Sequence, residues 1–394
     1  MKSLSNEFMK ERQELSKLLV LIMAIACGLT IANLYYIQPL LADIAETFNV
    51  SEINVGFAAT LTQLGYAVGM IFILPLADII EKRKLIAIML LLSIISLVSI
   101  SFSFNMHMLV VSSFAVGFTS IIPQLIIPLA AQLSNSNERG HVIGSVMSGL
   151  LIGILVSRTF SGILGGYLGW RKVYIIAAFM LIILLIAIKK LIPVHKPVSN
   201  TKYIELLKSM IHLINTESVV REVSVNGAMM FAAFSAFWTS LVFLLESSHY
   251  NMGSEAAGLL GLVGISGALA APLVGRIADT KGTRFVTGIS IIVVIISFIF
   301  FLLFGFKILG LILGVILLDL GVQSCNISNQ TRVHSLNDEI RNRINTIYMV
   351  CFFLGGAFGS FIGSYSYTYF GWYGICIFGI STQVITSIVH KTAK

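Results

Sequence analysis

The stretch LILGVILLDLGVQSCNISNQ, Leu311 to Gln330, is lipid-soluble through its first half except for one carboxylate, Asp319. Gln323, Asn326 and Gln330 follow it at intervals of four, three and four, so a helix gathers them into one polar stripe. Burial disfavours the charged form of such a carboxylate, and a nearby cation restores it. An aspartate that alternates between the two settings takes up and releases a proton. A cation of the right kind is Arg158, inside another apolar run. A guanidinium at that depth costs roughly 2.5 to 3.5 kcal/mol on insertion scales, so it must face a cavity or a partner. Asp319 is expected to carry protons, with Arg158 as a possible countercharge. The competing readings are an aspartate that accepts hydrogen bonds from a neighbouring helix, and an arginine that serves a structural ion pair or snorkels outward.

The elements that hold these residues are membrane helices. The chain has 394 residues, 57% hydrophobic and 11% charged, with a mean hydropathy of +0.92, far from a soluble domain. About twenty apolar residues cross a ~30 Å hydrocarbon core as a helix. Twelve such runs are predicted, at 17–41, 53–77, 84–104, 108–132, 142–166, 172–191, 223–245, 255–277, 285–306, 308–331, 343–366 and 372–389. Twelve spans put both termini on one side. If that side is the cytoplasm, 22 of the 26 basic residues lie inside. Arg171, Lys172 and Lys307 fall outside and Arg158 within a span, so the positive-inside rule sets the orientation. The charge of +8 is therefore a matter of topology and gives no reason to expect nucleic acid. Cys27, Cys325, Cys351 and Cys376 lie inside predicted spans with no pairing or metal-ligand spacing. Residues 1–16 form a charged cytoplasmic segment without the apolar core of a signal peptide.

An internal repeat governs the chain. Asp78 and Asp279 stand 201 positions apart, as do Glu138 and Glu339, and Gly162 and Gly363; Trp170 and Trp372 are offset by 202. The expected organisation is an all-α membrane protein of two six-helix bundles, 17–191 and 223–389, joined by a cytoplasmic linker, 192–222, and ending in a tail, 390–394. Parallel repeats of this kind place a solute site between the halves near the midplane and work by rocking one half on the other.

The loop GRIADTKGTR (Gly275 to Arg284), its partner LPLADIIEKRK (Leu74 to Lys84), YYIQPLL in the first helix, and the GWR and GWY after helices five and eleven resemble the major facilitator superfamily. The resemblance runs over essentially the whole chain, and more narrowly to its twelve-helix, drug-efflux-type proton antiporters. It implies that the loop, Gly-x-x-x-Asp-x-x-Gly-Arg-Lys in the family, latches the cytoplasmic side. Asp78, Arg83, Gly275, Asp279, Gly282 and Arg284 would carry that gate. The first copy departs from the pattern, with Leu74 and Glu81 where glycines are expected. The family's antiporters carry a Gly-Pro pair where this chain has Ser157 and Arg158, and an arginine where it has Ser113. If protons are coupled, the machinery has moved, to Asp319 and Arg158; if not, the chain is a facilitator.

Solute contact is expected at Asn33, Tyr36 and Gln38 of the first helix, Gln124 beside Pro123 and Pro128 of the fourth, Phe234 and Trp238 of the seventh, and Gln323 and Asn326 of the tenth. An aromatic cavity with few charges suits amphiphilic or weakly charged organic molecules. Small residues at every fourth position in helix five (Gly149, Gly153, Ser157, Ser161, Gly165) and in helix eleven (Gly355, Gly359, Gly363) suit either a sliding interface between halves or static packing.

No phosphate-binding glycine loop or zinc-spaced histidine pair occurs, which leaves an enzyme little to stand on. The expectation is a non-enzymatic exporter of drug-like compounds or metabolites by proton antiport, a monomer without cofactor or metal. Its partners would be a small-molecule solute, protons and membrane lipids, and its place the bacterial inner membrane. Uptake, of a sugar for example, and a non-transporting sensor are the alternatives.

Overall fold

The computed structural model describes residues 16–135, 138–194, 203–264, 277, 280–336 and 341–392, with the side chains at 78, 204–208, 210, 334 and 341–342 outside that description. The first span is helical over Lys17–Ala32, turns through 33–37 and continues as short helices at Gln38–Leu40 and Leu41–Phe48. The next two are Glu52–Ile73 and Lys82–Ser101. The fourth is broken into Met106–Thr119 and Ile122–Leu133. Pro123 explains the break, because it supplies no N–H and its ring clashes with the carbonyl four residues back. Arg139–Leu168 and Trp170–Leu191 complete the first bundle. A linker helix, Tyr203–Thr216, leads to the seventh span, Ser218–Glu246, and to the described start of the eighth, Ser254–Val263. The ninth and tenth are Thr283–Phe304 and Ile308–His334. The last two run as one helix, Arg341–Thr392, bent at Gly371.

Apolar interiors leave hydroxyls few partners, and here they bond to their own helix. Thr30, Thr62, Ser113 and Ser290 each donate to the carbonyl four residues earlier. The repeat also shows in the turns. Gly169 (φ 84°) and Gly371 (φ 59°), 202 positions apart, both take the left-handed conformation that frees glycine. The tryptophan after each then anchors its span, Trp170 to the Thr47 hydroxyl at 2.9 Å and Trp372 to the Phe301 carbonyl at 3.0 Å. At the loop motif the two halves diverge. Gly282 has φ 87°, whereas Glu81, its counterpart, keeps φ −54° after the tight helical turn Leu74–Asp78. The missing glycine is thus matched by a different backbone.

The small-residue stripes serve two kinds of seam. A side chain at Gly149 or Gly153 would strike the backbone of Ala24 or Gly28 in the first span, and one at Gly355 or Gly359 that of Ala228 or Ala232 in the seventh. These are close helix pairs inside one bundle, so the stripe in helix eleven is static packing rather than an interface between halves. Only the far end of helix five crosses over, where a side chain at Gly162 would lie 2.5 Å from the Ser254 carbonyl of the eighth span. The other crossing pairs the second span with the eleventh and seventh. Gln63 donates to Ser360 at 2.9 Å and accepts from Ser235 at 3.3 Å, and the Tyr66 and Phe353 rings lie 4.3 Å apart. These contacts gather in the half of the molecule away from the termini. At the terminal face Arg139, Gly140, His141 and Gly144 of helix five are exposed.

Replacing Gly153 with leucine is therefore expected to lower stability by about 1–3 kcal/mol, because the seam with Gly28 has no room for it. Gly144→Leu is expected to leave the melting temperature of the detergent-solubilised protein nearly unchanged; equal losses at the two positions would contradict this packing.

Candidate functional site

Arg158 is 1% exposed, on the fifth span between the bundles. Its Nε donates to Gln38 Oε1 at 2.8 Å. Its guanidinium carbon lies 4.3 Å from the ring centre of Trp238, 4.7 Å from that of Tyr35 and 5.2 Å from that of Phe234. This cation–π cage, worth about 2 kcal/mol or more where water is excluded, holds the charge without a carboxylate in contact. Asp319, also 1% exposed, is within electrostatic reach of Arg158, yet the two form no direct ion pair. The eighth span passes both. A side chain at Gly261 would come 3.0 Å from Arg158 Cβ, and one at Gly264 3.1 Å from an Asp319 oxygen.

Four of the expected residues, Arg158, Gln38, Phe234 and Trp238, thus meet at one point, with Asp319 nearby. Others stand apart. Asn33 donates to Ser120 at 3.3 Å, and Gln124 to Tyr66 at 3.3 Å. Asn326 accepts from Tyr348 at 2.8 Å and from Gln330 at 3.1 Å, and Gln323 is half-buried. Tyr36 turns away from the cage, with its ring 5.7 Å from that of Phe160. It closes one end of a cavity of about 830 Å³ between the first and fifth spans, which begins at Lys17, Glu138 and His141. Sequence reasoning passed over Gln63, although a lone amide in an apolar run was signal enough. Tyr35 is marked in the sequence by the YYIQPLL motif alone, and Tyr66 and Tyr348 by nothing but aromatic character.

At the terminal face, Arg83 donates to the carbonyl of Lys189, and Arg284, 201 positions on, to that of His390 at 2.7 Å. Each loop arginine so caps the last span of its own bundle, where the carbonyls lack partners and the helix dipole favours a cation. Arg332 donates to Glu222 at 2.6 Å, and His390 stands 3.6 Å from the same carboxylate. The sequence places Glu222 in the linker, whereas the helix of the seventh span begins at Ser218 and contains it. Gly275, Asp279 and the side chain of Asp78 lie outside the described residues.

Two bundles joined by a long linker, with buried charges where they meet, define the architecture of a secondary transporter. The sequence profile of the Major Facilitator Superfamily matches residues 23–360, and the chain belongs to that family. It is 36% identical over 380 residues to the uncharacterized transporter YgaY of Escherichia coli O157:H7, covering 96% of each chain. It is 23% identical over 330 residues to a probable sugar efflux transporter of Helicobacter pylori, covering 82% of each. Its fold matches a bacterial homologue of the human lysosomal transporter Spinster, crystallised inward-facing and occupied, with a TM-score of 0.77 over 96% of both chains at 14% identity.

On the face opposite the termini the two bundles meet beside a cluster of carboxylates. Asp43, in the short helix Leu41–Phe48 past the apolar run 17–41, hydrogen-bonds Ser254 of the other bundle, with Glu46, Glu255 and Glu246 within electrostatic reach. Burial, and then repulsion from Glu255 and Glu46, hold the Asp43 carboxyl above its ordinary value despite the Ser254 bond. The closed form thus binds a proton more tightly than an open one. Closure is opposed while Asp43 is ionised and favoured as pH falls through its raised value. Spin labels at Tyr167 and Met252 are expected to draw together as pH falls from about 8 to about 4. The same shift in Asp43→Asn would assign it to another group.

Proposed function

We propose that the chain is a secondary active transporter that exports small organic molecules by proton antiport through alternating access. In this reading the terminal face is cytoplasmic, the membrane is the bacterial inner membrane, and a single chain suffices. The bodies that rock are 17–191 and 223–389, with 192–222 as their linker. The observation that carries the reading is the juxtaposition of Asp319 and Arg158, one from each bundle, buried and not in contact. An ionised Asp319 offers a solute an acceptor, and a proton removes it. Proton and solute then compete for one group, and competition at a site that faces each side in turn is exchange. Export agrees with the name of the Helicobacter relative. The gate would consist of Arg83 and Arg284 with Asp78, Gly275, Asp279 and Gly282, and the half-buried stripe Gln323, Asn326 and Gln330 would wet the way to the terminal face.

Inverted vesicles with an acid interior test this. A solute that the protein exports enters the lumen as a proton leaves, so the gradient falls. It is expected to fall for wild type and not for Asp319→Asn, across a panel of dyes, sugars and amino acids. Discharge unchanged in the variant would remove Asp319 as the carrier, and discharge by no compound, with the protein well expressed, would count against export.

A further inference from the structure

The charged pair leaves polar atoms of both kinds without partners. Arg158 Nη2 and Trp238 Nε1 are donors without an acceptor, and Asp319 Oδ2 is an acceptor without a donor. All three belong to side chains at most 3% exposed. A buried polar atom left unpaired costs about 1–3 kcal/mol, and more when it is charged. The side-chain hydrogen bond that Arg158 makes is to a neutral amide, that of Gln38. The cage thus holds a cation and an anion that share an interior without satisfying one another. The eighth span packs closely on both residues, since a side chain at Gly261 would come 3.0 Å from Arg158 Cβ and one at Gly264 3.1 Å from an Asp319 oxygen.

We infer, on the reading of the chain as a transporter, that its solute is an extended zwitterion. An anionic group accepts from Arg158 Nη2 and Trp238 Nε1, and a protonated amine donates to Asp319 Oδ2. Charge selects this class. A simple amine would compensate Asp319 and leave the guanidinium without an anion; a simple carboxylate would bring a second negative charge towards Asp319. A polyol would fill hydrogen bonds but compensate neither charge in a region of low dielectric. A zwitterion gives each charge its opposite and adds none. Spacing sets the length. Gly261 and Gly264 are three residues apart, about 4.5 Å along a helix. The two charges make no direct ion pair, so a solute that meets both must hold its own charges apart on a spacer, and a series of zwitterions of rising length reads that spacer. The site also agrees with antiport, because a proton and an ammonium group compete for the same oxygen of Asp319.

Binding can be read without flux, on the purified full chain in nanodiscs, by calorimetry with glycine, γ-aminobutyrate and ε-aminocaproate against butylamine, butyrate and butanediol. One of the two longer zwitterions is expected to bind roughly 30-fold or more tightly than any of the three controls. Arg158→Gln should reduce its affinity to that of butylamine, and Asp319→Asn to that of butyrate. Arg158→Lys should keep a measurable preference for the zwitterion, which separates loss of charge from loss of fold. Butylamine or butanediol binding as tightly as the best zwitterion, or no member of the series binding, overturns the inference. A zwitterion that binds in this pattern but discharges no gradient in vesicles supports the site and counts against the exporter.

Discussion

Two opposite charges stand near each other in an interior with little water, and neither neutralises the other in direct contact. Arg158 stays charged without a carboxylate because three aromatic faces and one amide surround it. The cage draws on both bundles. Gln38 and Tyr35 come from the region where the first helix is interrupted, Phe234 and Trp238 from the seventh, and Arg158 from the fifth. The interruption after Ala32 is part of the site, since it carries Tyr35 and Gln38 out of the register that a straight helix would give them.

The helices are held together in two ways that suit two mechanical tasks. Inside each bundle, glycine meets alanine or glycine backbone at a distance no larger residue permits, as at Gly153 with Gly28 and Gly359 with Ala232. Such seams have one register and resist sliding. Between the bundles one such seam recurs, where Gly162 meets Ser254 and Gly258, and the other contacts are of another kind: hydroxyl and amide bonds at Gln63, Ser235 and Ser360, the Thr159 hydroxyl donating to the Gly258 carbonyl at 2.8 Å, and aromatic faces. Polar groups of this kind can exchange partners for water when the surfaces part, which sets them apart from the glycine seams.

This division explains what could be read from the sequence. Asp319 and Arg158 stand out because a charge in an apolar run has few possible reasons to be there. Gly169 and Gly371 stand out because the repeat marks them twice. The stripe Gly355, Gly359 and Gly363 announces a close neighbour but does not name it, and the neighbour proved to be the seventh span in its own bundle. Glu222 was misplaced for a related reason. Composition ends a span where charges begin, whereas a helix continues as long as its charges find partners, here Arg332 and His390. Tyr66 and Tyr348 carry no signal in an apolar chain, because an aromatic residue is equally at home facing lipid, core or cavity.

The repeat makes the two halves alike in plan, but the charges do not follow it. The position equivalent to Arg158 is Gly359, and the one equivalent to Asp319 is Phe118. The cation therefore belongs to one body and the anion to the other, and no helix holds both. Any rotation of one bundle on the other changes the distance between them, and with it the energy of the pair, which at low effective dielectric varies steeply with separation. By reciprocity, whatever alters the charge at Asp319 alters the relative stability of the two arrangements of the bundles. On the proposed reading, an asymmetric pair on a repeated scaffold is enough to link occupancy of the site to which way the protein faces, with no third element between them.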